Sequence, residues 1–370
     1  MKITMMKAGY GDCFLIETKN NDGLPYNILV DGGTGDSYDG IEKNKDFILS
    51  YLREHKINLI VLTHIDDDHI KGVQRLFKDL LKNKYKELRL NIMKVIYNSP
   101  YATALYLKKA YVKPQKIEYK ISNGNISATS AQSVEQLLCN MDKLTDEVII
   151  VDDKEIKSRM NISEHGINIK FLSPSKETLE AYYKQYEIDI RKAEKNKVDK
   201  AKGNISKCKI MDDYKDTIEE LKKKTDCEAL TSYNRASIAF LLEEESTQER
   251  VLMLGDCDYD IVEKELRDLG YTENNKLKLE HVKLSHHGSI GTLKNSFLEL
   301  IDCNNYLIST DGKSYSHPNK KTLARIWDNN ENAKFYFNYE QLINKIFINA
   351  LEDSYRLKCE KYKFIGERNE

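Results

Sequence analysis

Along the first third of the chain, short apolar runs alternate with stretches whose apolar positions recur at helical spacing. Residues 2–6 (KITMM) and 13–18 (CFLIET) read as strands joined through a tight turn at Gly9-Tyr10-Gly11-Asp12. Residues 26–30 (YNILV) form a third strand that ends at Asp31-Gly32-Gly33, and a helical stretch follows between Gly35 and His55. Residues 58–62 (NLIVL) are continuously apolar, the pattern of a strand covered on both faces. A helix is expected from about His69, carrying Val73, Leu76 and Leu80. Strands are expected again at 93–98 (MKVIYN), 147–151 (EVIIV) and 167–174 (INIKFLSP), with a helix over Ser130–Met141.

From Ser175 the pattern changes. The segment 175–226 is dense in Lys and Glu, and two sets of residues follow helical spacing: Leu179, Tyr182, Tyr183, Tyr186 and Ile190, then Ile210, Tyr214, Ile218 and Leu221. With KGN at 202–204 between them, they read as a helical hairpin inserted into an α/β body. Such an arm is either a solvated structural element or a surface for substrate, a protein partner or a second copy of the chain. Strand patterns resume at 236–243 (ASIAFLLE), 250–256 (RVLMLGD), 281–289 (HVKLSHHGS) and 305–310 (NYLIST). Helices are expected at Ile261–Leu269, at Leu293–Ile301 and from Lys320, and short strands at 335–337 (FYF), 345–348 (KIFI) and 355–359 (YRLKC). So many strands exceed one doubly wound sheet. The expected fold is a four-layer α/β/β/α sandwich with halves at 1–174 and 227–370, interrupted by the insertion.

Composition narrows the class less than the pattern does. Lys and Arg total 58 against 59 for Asp and Glu, so net charge argues neither for nor against a nucleic-acid partner. No apolar run is long enough to span a bilayer, and the N-terminus lacks a signal-peptide pattern. Seven scattered cysteines with no Cys-x-x-Cys pair suggest a reduced, cytoplasmic protein without a thiolate metal cage.

The chemistry concentrates at strand ends. His64-Ile65-Asp66-Asp67-Asp68-His69 follows NLIVL, at the edge where α/β proteins place ligands. An acidic helix cap accounts for the aspartates but not for both histidines. Grouping carboxylates is costly without a cation, and imidazole with carboxylate suits Zn, Mn or Fe. Asp256, His286-His287-Gly288-Ser289 and His317 occupy the same kind of place. Five of the 8 histidines therefore fall at strand-to-loop junctions. His55, His165 and His281 do not, and are expected to be surface or packing residues. Asp31 is placed to orient a ligand from behind.

The motif set His-x-Asp-x-Asp-His, GYGDCFLI, ILVDGG, LGD, HHGS and YSHPN resembles the metallo-β-lactamase fold superfamily. Within it, the set is most similar to the soluble hydrolase domain of ComEC-type DNA-uptake competence proteins. The resemblance covers about residues 1–174 and 227–330. It implies two divalent ions, Zn or Mn, and a metal-dependent hydrolase. One ion would be held by His64 and Asp66, with Asn234 as a candidate third ligand, the other by Asp68, His69 and His317, with Asp256 bridging. Asp66 stands where the family has a second His, which makes the first position richer in oxygen and more tolerant of Mn. A water between the ions would lose its proton near pH 7 and attack, with Asp68 in the catalytic group. His286 and His287 would contact substrate or protonate the leaving group, or one would be a ligand. Gly288 and Ser289 would approach an oxyanion.

The superfamily hosts several chemistries. A nuclease or phosphodiesterase is favoured, acting on nucleic acid or a nucleotide. Lys-rich residues 108–116 with Tyr106 and Tyr111 suit bases and phosphates, or equally a solvated loop. The alternatives are a hydrolase of a lactone or thioester, and a subunit that acts only within a partner complex.

Overall fold

The computed structural model describes residues 1–40, 42–116, 127–198, 213–313, 317–348 and 352–362. The first sheet holds β1 (Lys2–Met5), β2 (Phe14–Lys19), β3 (Pro25–Val30), β4 (Ile57–Leu62) and β5 (Ile92–Tyr97), in that spatial order. β1, β2 and β3 pair antiparallel, whereas β3, β4 and β5 pair parallel. The second half supplies β6 (Ile162–Glu164), β7 (Ile167–Ser173), β8 (Ala239–Glu244), β9 (Glu249–Met253), β10 (Leu277–Leu279), β11 (His281–Lys283), β12 (Ile301–Cys303), β13 (Asn305–Ile308), β14 (Lys334–Phe337) and β15 (Cys359–Lys361). Eight of these form the second sheet in the order β15-β14-β13-β11-β9-β8-β7-β6, while β10 and β12 pair separately.

Side-chain alternation along each strand builds the layers. On β2, Phe14 and Ile16 face the core between the sheets, and Leu15 faces the helices outside. On β4, Leu59 and Val61 face inward, and Ile60 and Leu62 outward. On β8, Phe240 and Leu242 meet the first sheet, whereas Leu241 joins Val262, Leu266 and Trp327 on the far side. Three cores separating four layers are the α/β/β/α sandwich. No helix among the described residues is long and apolar enough to cross a membrane.

Three expected strands differ. Residues 147–151 run extended and buried but pair with no strand. The Asn98 side chain takes the place of a ladder there, accepting from Ile149 N at 2.7 Å and donating to Ile149 O at 2.9 Å. Residues 345–348 were read as a strand, but Lys345 and Ile346 end the helix Gln341–Ile346, whose Leu342, Ile343 and Ile346 face the second core. Within 355–359, only Cys359 is in a strand, the start of β15.

The inserted segment is tied to the body at both ends. The helix Lys176–Val198 buries Leu179, Tyr182, Tyr183 and Tyr186 in the first core. A 3₁₀ turn at Asp213–Lys215 and the helix Ile218–Lys222 bury Ile218 and Leu221 in the second. Ile210 and the 202–204 turn lie outside the described residues.

The tyrosines of that long helix surround a buried carboxyl. Glu135 Oε2 accepts from Tyr111 Oη at 2.7 Å, and Tyr111 Oη lies 3.1 Å from Tyr186 Oη. Tyr101 N donates to the other oxygen of Glu135. Tyr111 thus points into the protein, not outward to stack on a base. Burial pushes Glu135 up to about 7, against the pull of its hydrogen bonds. A raised folded pKa means that the folded state keeps this proton after the unfolded chain has lost it. The contribution of Glu135 to stability is therefore fully present below about pH 4.5 and is lost as pH rises to about 7, by about 3 kcal/mol. Glu135→Gln should lack that loss. Urea unfolding of both proteins across this range should show the variant gaining by about that amount relative to wild type. A difference independent of pH would refute it.

Candidate metal centre

The site lies where the C-terminal ends of the parallel strands of both sheets meet. β4 leads through Thr63 to His64, and Asp66 precedes the helix Asp67–Leu80, whose first turn holds Asp68 and His69. The GYGD turn packs directly on this turn. A Cβ on Gly11 would lie 1.7 Å from the Asp68 carbonyl oxygen, so only glycine fits. From the second sheet, β9 leads to Asp256 and β11 to the His286-His287 pair. His286 and His287 both adopt left-handed backbone, at φ 48° and 55°, which costs about 1–2 kcal/mol each. Gly288 continues the turn at φ 84°. Strain of this kind is characteristic of functional sites.

Six side chains converge. His69 Nε2 lies 3.3 Å from His287 Nε2 and 3.4 Å from Asp256 Oδ2. His287 Nε2 lies 3.3 Å from Asp68 Oδ2 and 3.5 Å from Asp256 Oδ2. His64 Nε2 is 3.7 Å from the same Asp256 oxygen and 3.6 Å from Asp66 Oδ2. Asp256 Oδ2 therefore stands between the His64–Asp66 side and the His69–His287–Asp68 side. His64 Nε2 and Asp256 Oδ1 are buried without hydrogen-bond partners.

The opposite edges of the imidazoles are tied down. His69 Nδ1 lies 2.8 Å from Asp31 Oδ2, and Asp31 also accepts from Thr63 N and Thr63 Oγ1 at 2.8 and 2.7 Å. His287 Nδ1 lies 2.9 Å from the Ser309 carbonyl and 3.2 Å from Asp12 Oδ1. These acceptors place the ring N–H on Nδ1 in each neutral imidazole. Both Nε2 lone pairs then face each other across 3.3 Å. Two lone pairs at that distance repel unless a cation lies between them, so the donor set fits a divalent metal. Without one, protons serve instead. Burial opposes protonation of His287, but Asp256 and Asp12 raise it to about 9. His69 is raised for the same kind of reason, by Asp256, Asp31 and Asp68 against burial. Burial also opposes ionisation of Asp68, yet His69 and His287 lower it to about 2.

The other sequence candidates fall nearby or elsewhere. The His317 ring lies 4.6 Å from that of His286 and 6.5 Å from that of His287. Burial lowers His286 to about 4. Gly288 packs on Pro318, which a Cβ there would approach to 2.7 Å. Ser289 is buried, with its hydroxyl 3.3 Å from the Gly291 N–H it accepts. The Asn234 side chain is turned to Thr231, whose hydroxyl donates to it at 2.9 Å. It is Ser237 that reaches the site, with Oγ 3.4 Å from His64 Nδ1 and accepting from Asp256 N at 3.0 Å. Asp67 points away, held by Lys71 and Ser130. His165 is exposed and pairs with Asp22.

Asp12 and Lys283 were missed as site residues. Asp12, His69, Asp256 and His287 place ligand atoms within 4.8 Å of one another. Lys283, fully buried, pairs with Asp12, donates to the Gly255 carbonyl at 3.1 Å and lies 3.9 Å from Asp256 Oδ1. Burial would raise Asp12, but Lys283 and His287 hold it below the usual carboxylate range.

Residues 6–88 match the family model of the metallo-beta-lactamase superfamily. The chain has a metallo-β-lactamase-type fold. The matched stretch contains Asp12, Asp31, His64, Asp66, Asp68 and His69. No curated protein sequence matches the chain. Solved structures align over most of its length, at low identity. The metallo-beta-lactamase fold protein YhfI from Bacillus subtilis is 10% identical, with TM-score 0.33, covering 98% of this chain and 96% of its own. Zn(2+)-bound PqqB from Methylobacterium extorquens is 9% identical, with TM-score 0.40, covering 98% and 97%. Unliganded yeast PDE1 is 10% identical, with TM-score 0.36, covering 90% and 86%. Likeness at this level carries no information on substrate.

Proposed function

We propose that the protein is a metal-dependent hydrolase that cleaves phosphodiesters with two divalent ions. The observation that carries the metal is the pair of opposed Nε2 atoms on His69 and His287, each with Nδ1 tied outward. His64 and Asp66 would hold one ion. His69, His287 and Asp68, with His317 beside them, would hold the other, and Asp256 would serve both. A bound divalent ion supplies a Lewis acid and lowers the pKa of a water it binds. Asp31 and Thr63 fix the His69 ring, and Asp12 and Ser309 fix His287. His286, whose Nδ1 is buried without a hydrogen-bond partner, would meet the leaving oxygen.

The phosphodiester class is supported by the resemblance of the motif set to the ComEC-type hydrolase domain. The carboxylate-rich donor set fits Mn²⁺ as well as Zn²⁺.

The test is cleavage of labelled single- and double-stranded DNA, RNA and bis(p-nitrophenyl) phosphate with Mn²⁺, Zn²⁺ or Mg²⁺, beside Asp68→Ala. Metal-dependent cleavage by wild type that the variant loses is expected. Stoichiometric metal without cleavage of any of these would overturn the phosphodiester reading. It would turn attention to carbonyl substrates or to a required partner protein.

A further inference from the structure

The inserted segment touches the metal centre's framework on two sides. On the first, Tyr233 Oη donates to Asp189 Oδ2 of the long helix at 2.8 Å. Tyr233 belongs to the short helix Ser232–Arg235, which leads directly to Ser237 and its contacts with His64 and Asp256. On the second, the returning end of the insertion grips the loop that carries His317. Tyr214 Oη donates to the Pro318 carbonyl at 3.0 Å. Asp213 accepts from Lys320 N at 3.1 Å and Lys321 N at 2.8 Å, satisfying the first free N–H groups of the helix Lys320–Asn329. Lys320 reaches back, fully buried, donating to the Asp216 carbonyl at 2.8 Å and to Glu352 at 2.7 Å.

The opposite flank of the same loop is held by the His287 turn. Asn319 N donates to the Gly288 carbonyl at 3.1 Å, and Asn319 Oδ1 accepts from Ile290 N at 2.8 Å. His317 therefore sits at the start of a segment clamped between the metal-site turn and the insertion. Only the insertion side of the clamp is foreign to the sandwich.

We propose that the two described ends of the insertion, 176–198 and 213–226, brace the metal centre, and that Asp213 and Tyr214 are positioning residues for His317. This rests on the reading that His317 faces the second ion. The clamp sets where the imidazole stands relative to His286 and His287, and it does so through backbone: the Pro318 carbonyl and the first N–H groups of the following helix. Loss of the brace should leave the fold in place, because the apolar anchors Ile218 and Leu221 remain. The His317 loop would then take a wider range of positions.

The test uses Co²⁺ as a spectroscopic stand-in for the physiological ion in the full-length protein. Visible spectra, Co²⁺ titrations and thermal melts are recorded for wild type, His317→Ala, Asp213→Ala, Asp213→Asn and Tyr214→Phe. Asp213→Ala and Tyr214→Phe are expected to move the spectrum toward that of His317→Ala. They should also weaken Co²⁺ binding by roughly 10–100-fold, the usual cost of losing an outer partner. Asp213→Asn keeps an acceptor for the helix and should restore the wild-type spectrum. Melting temperatures that fall while spectra and affinities stay at wild type would overturn the brace and leave a purely structural contact. A wild-type spectrum for His317→Ala would overturn the reading of His317 itself, and the brace with it. Altered His317→Ala with unaltered Asp213→Ala and Tyr214→Phe would sink the brace alone.

Discussion

Asp256→Ala should bind less than the wild-type complement of divalent metal and lose hydrolysis. One carboxylate oxygen of Asp256 lies within 3.4–3.7 Å of three imidazole nitrogens, on His69, His287 and His64. No other side chain described around the site touches both halves of the donor set so evenly. Its loss should cost more than the roughly 10–100-fold in affinity that follows loss of an outer partner. Asp31→Ala supplies that smaller comparison, because Asp31 bonds to His69 and Thr63 on the side of the ring away from the donor cluster. Metal analysis after dialysis, with titration of each variant, would rank them. Equal losses, or a larger loss for Asp31→Ala, would contradict the central place given to Asp256.

The second large effect concerns stability. Lys283→Met should destabilise the protein by up to about 3–5 kcal/mol, because it takes from buried Asp12 its lysine partner and leaves only His287 to offset its charge. The double variant Asp12→Asn/Lys283→Met should recover much of that, since replacing both members of a buried ion pair by neutral groups is often close to neutral. Denaturant unfolding of the metal-free proteins separates this from ligation. If the single variant matched wild type, the pair would be incidental. If the double variant were no better than the single, Lys283 would act through the Gly255 carbonyl rather than through charge.

Much of the architecture was legible because burial on both faces of a strand writes itself as an apolar run. Residues 58–62, 236–243 and 250–256 all read this way and lie in or alongside strands of the two sheets. The misread stretches share the same ambiguity. Residues 147–151 are as buried and apolar as a strand, but an asparagine side chain supplies their pairing. Residues 345–348 are apolar because a short helix covers the second core, and so short a run does not show its period. In the site, strand-end position singled out His64, His69, His286, His287 and His317, and the structure gathers all five. It could not separate the two adjacent histidines, because their separate positions arise from consecutive left-handed residues. Asp12 read as a turn residue and Lys283 as a strand residue. Each depends on a partner some 270 positions away. Ser237 was passed over for Asn234, three residues earlier, because residue type suggested a ligand while the backbone turned the amide toward Thr231.

The metal centre is a seam. Asp12, Asp31, His64, Asp66, Asp68 and His69 come from the strand ends, turns and helix start of the first half, and Asp256, Lys283, His287, Ser309 and His317 from those of the second. Neither half can bind an ion with the full set, so ligation must await docking of the two sheets through their shared core of Phe14, Val61, Phe240 and their neighbours. Such contacts between remote parts of a chain are slow to form. Ion capture would then act as a final latch on folding. It would add its binding energy to the native state alone and withhold chemical competence from every incompletely assembled chain.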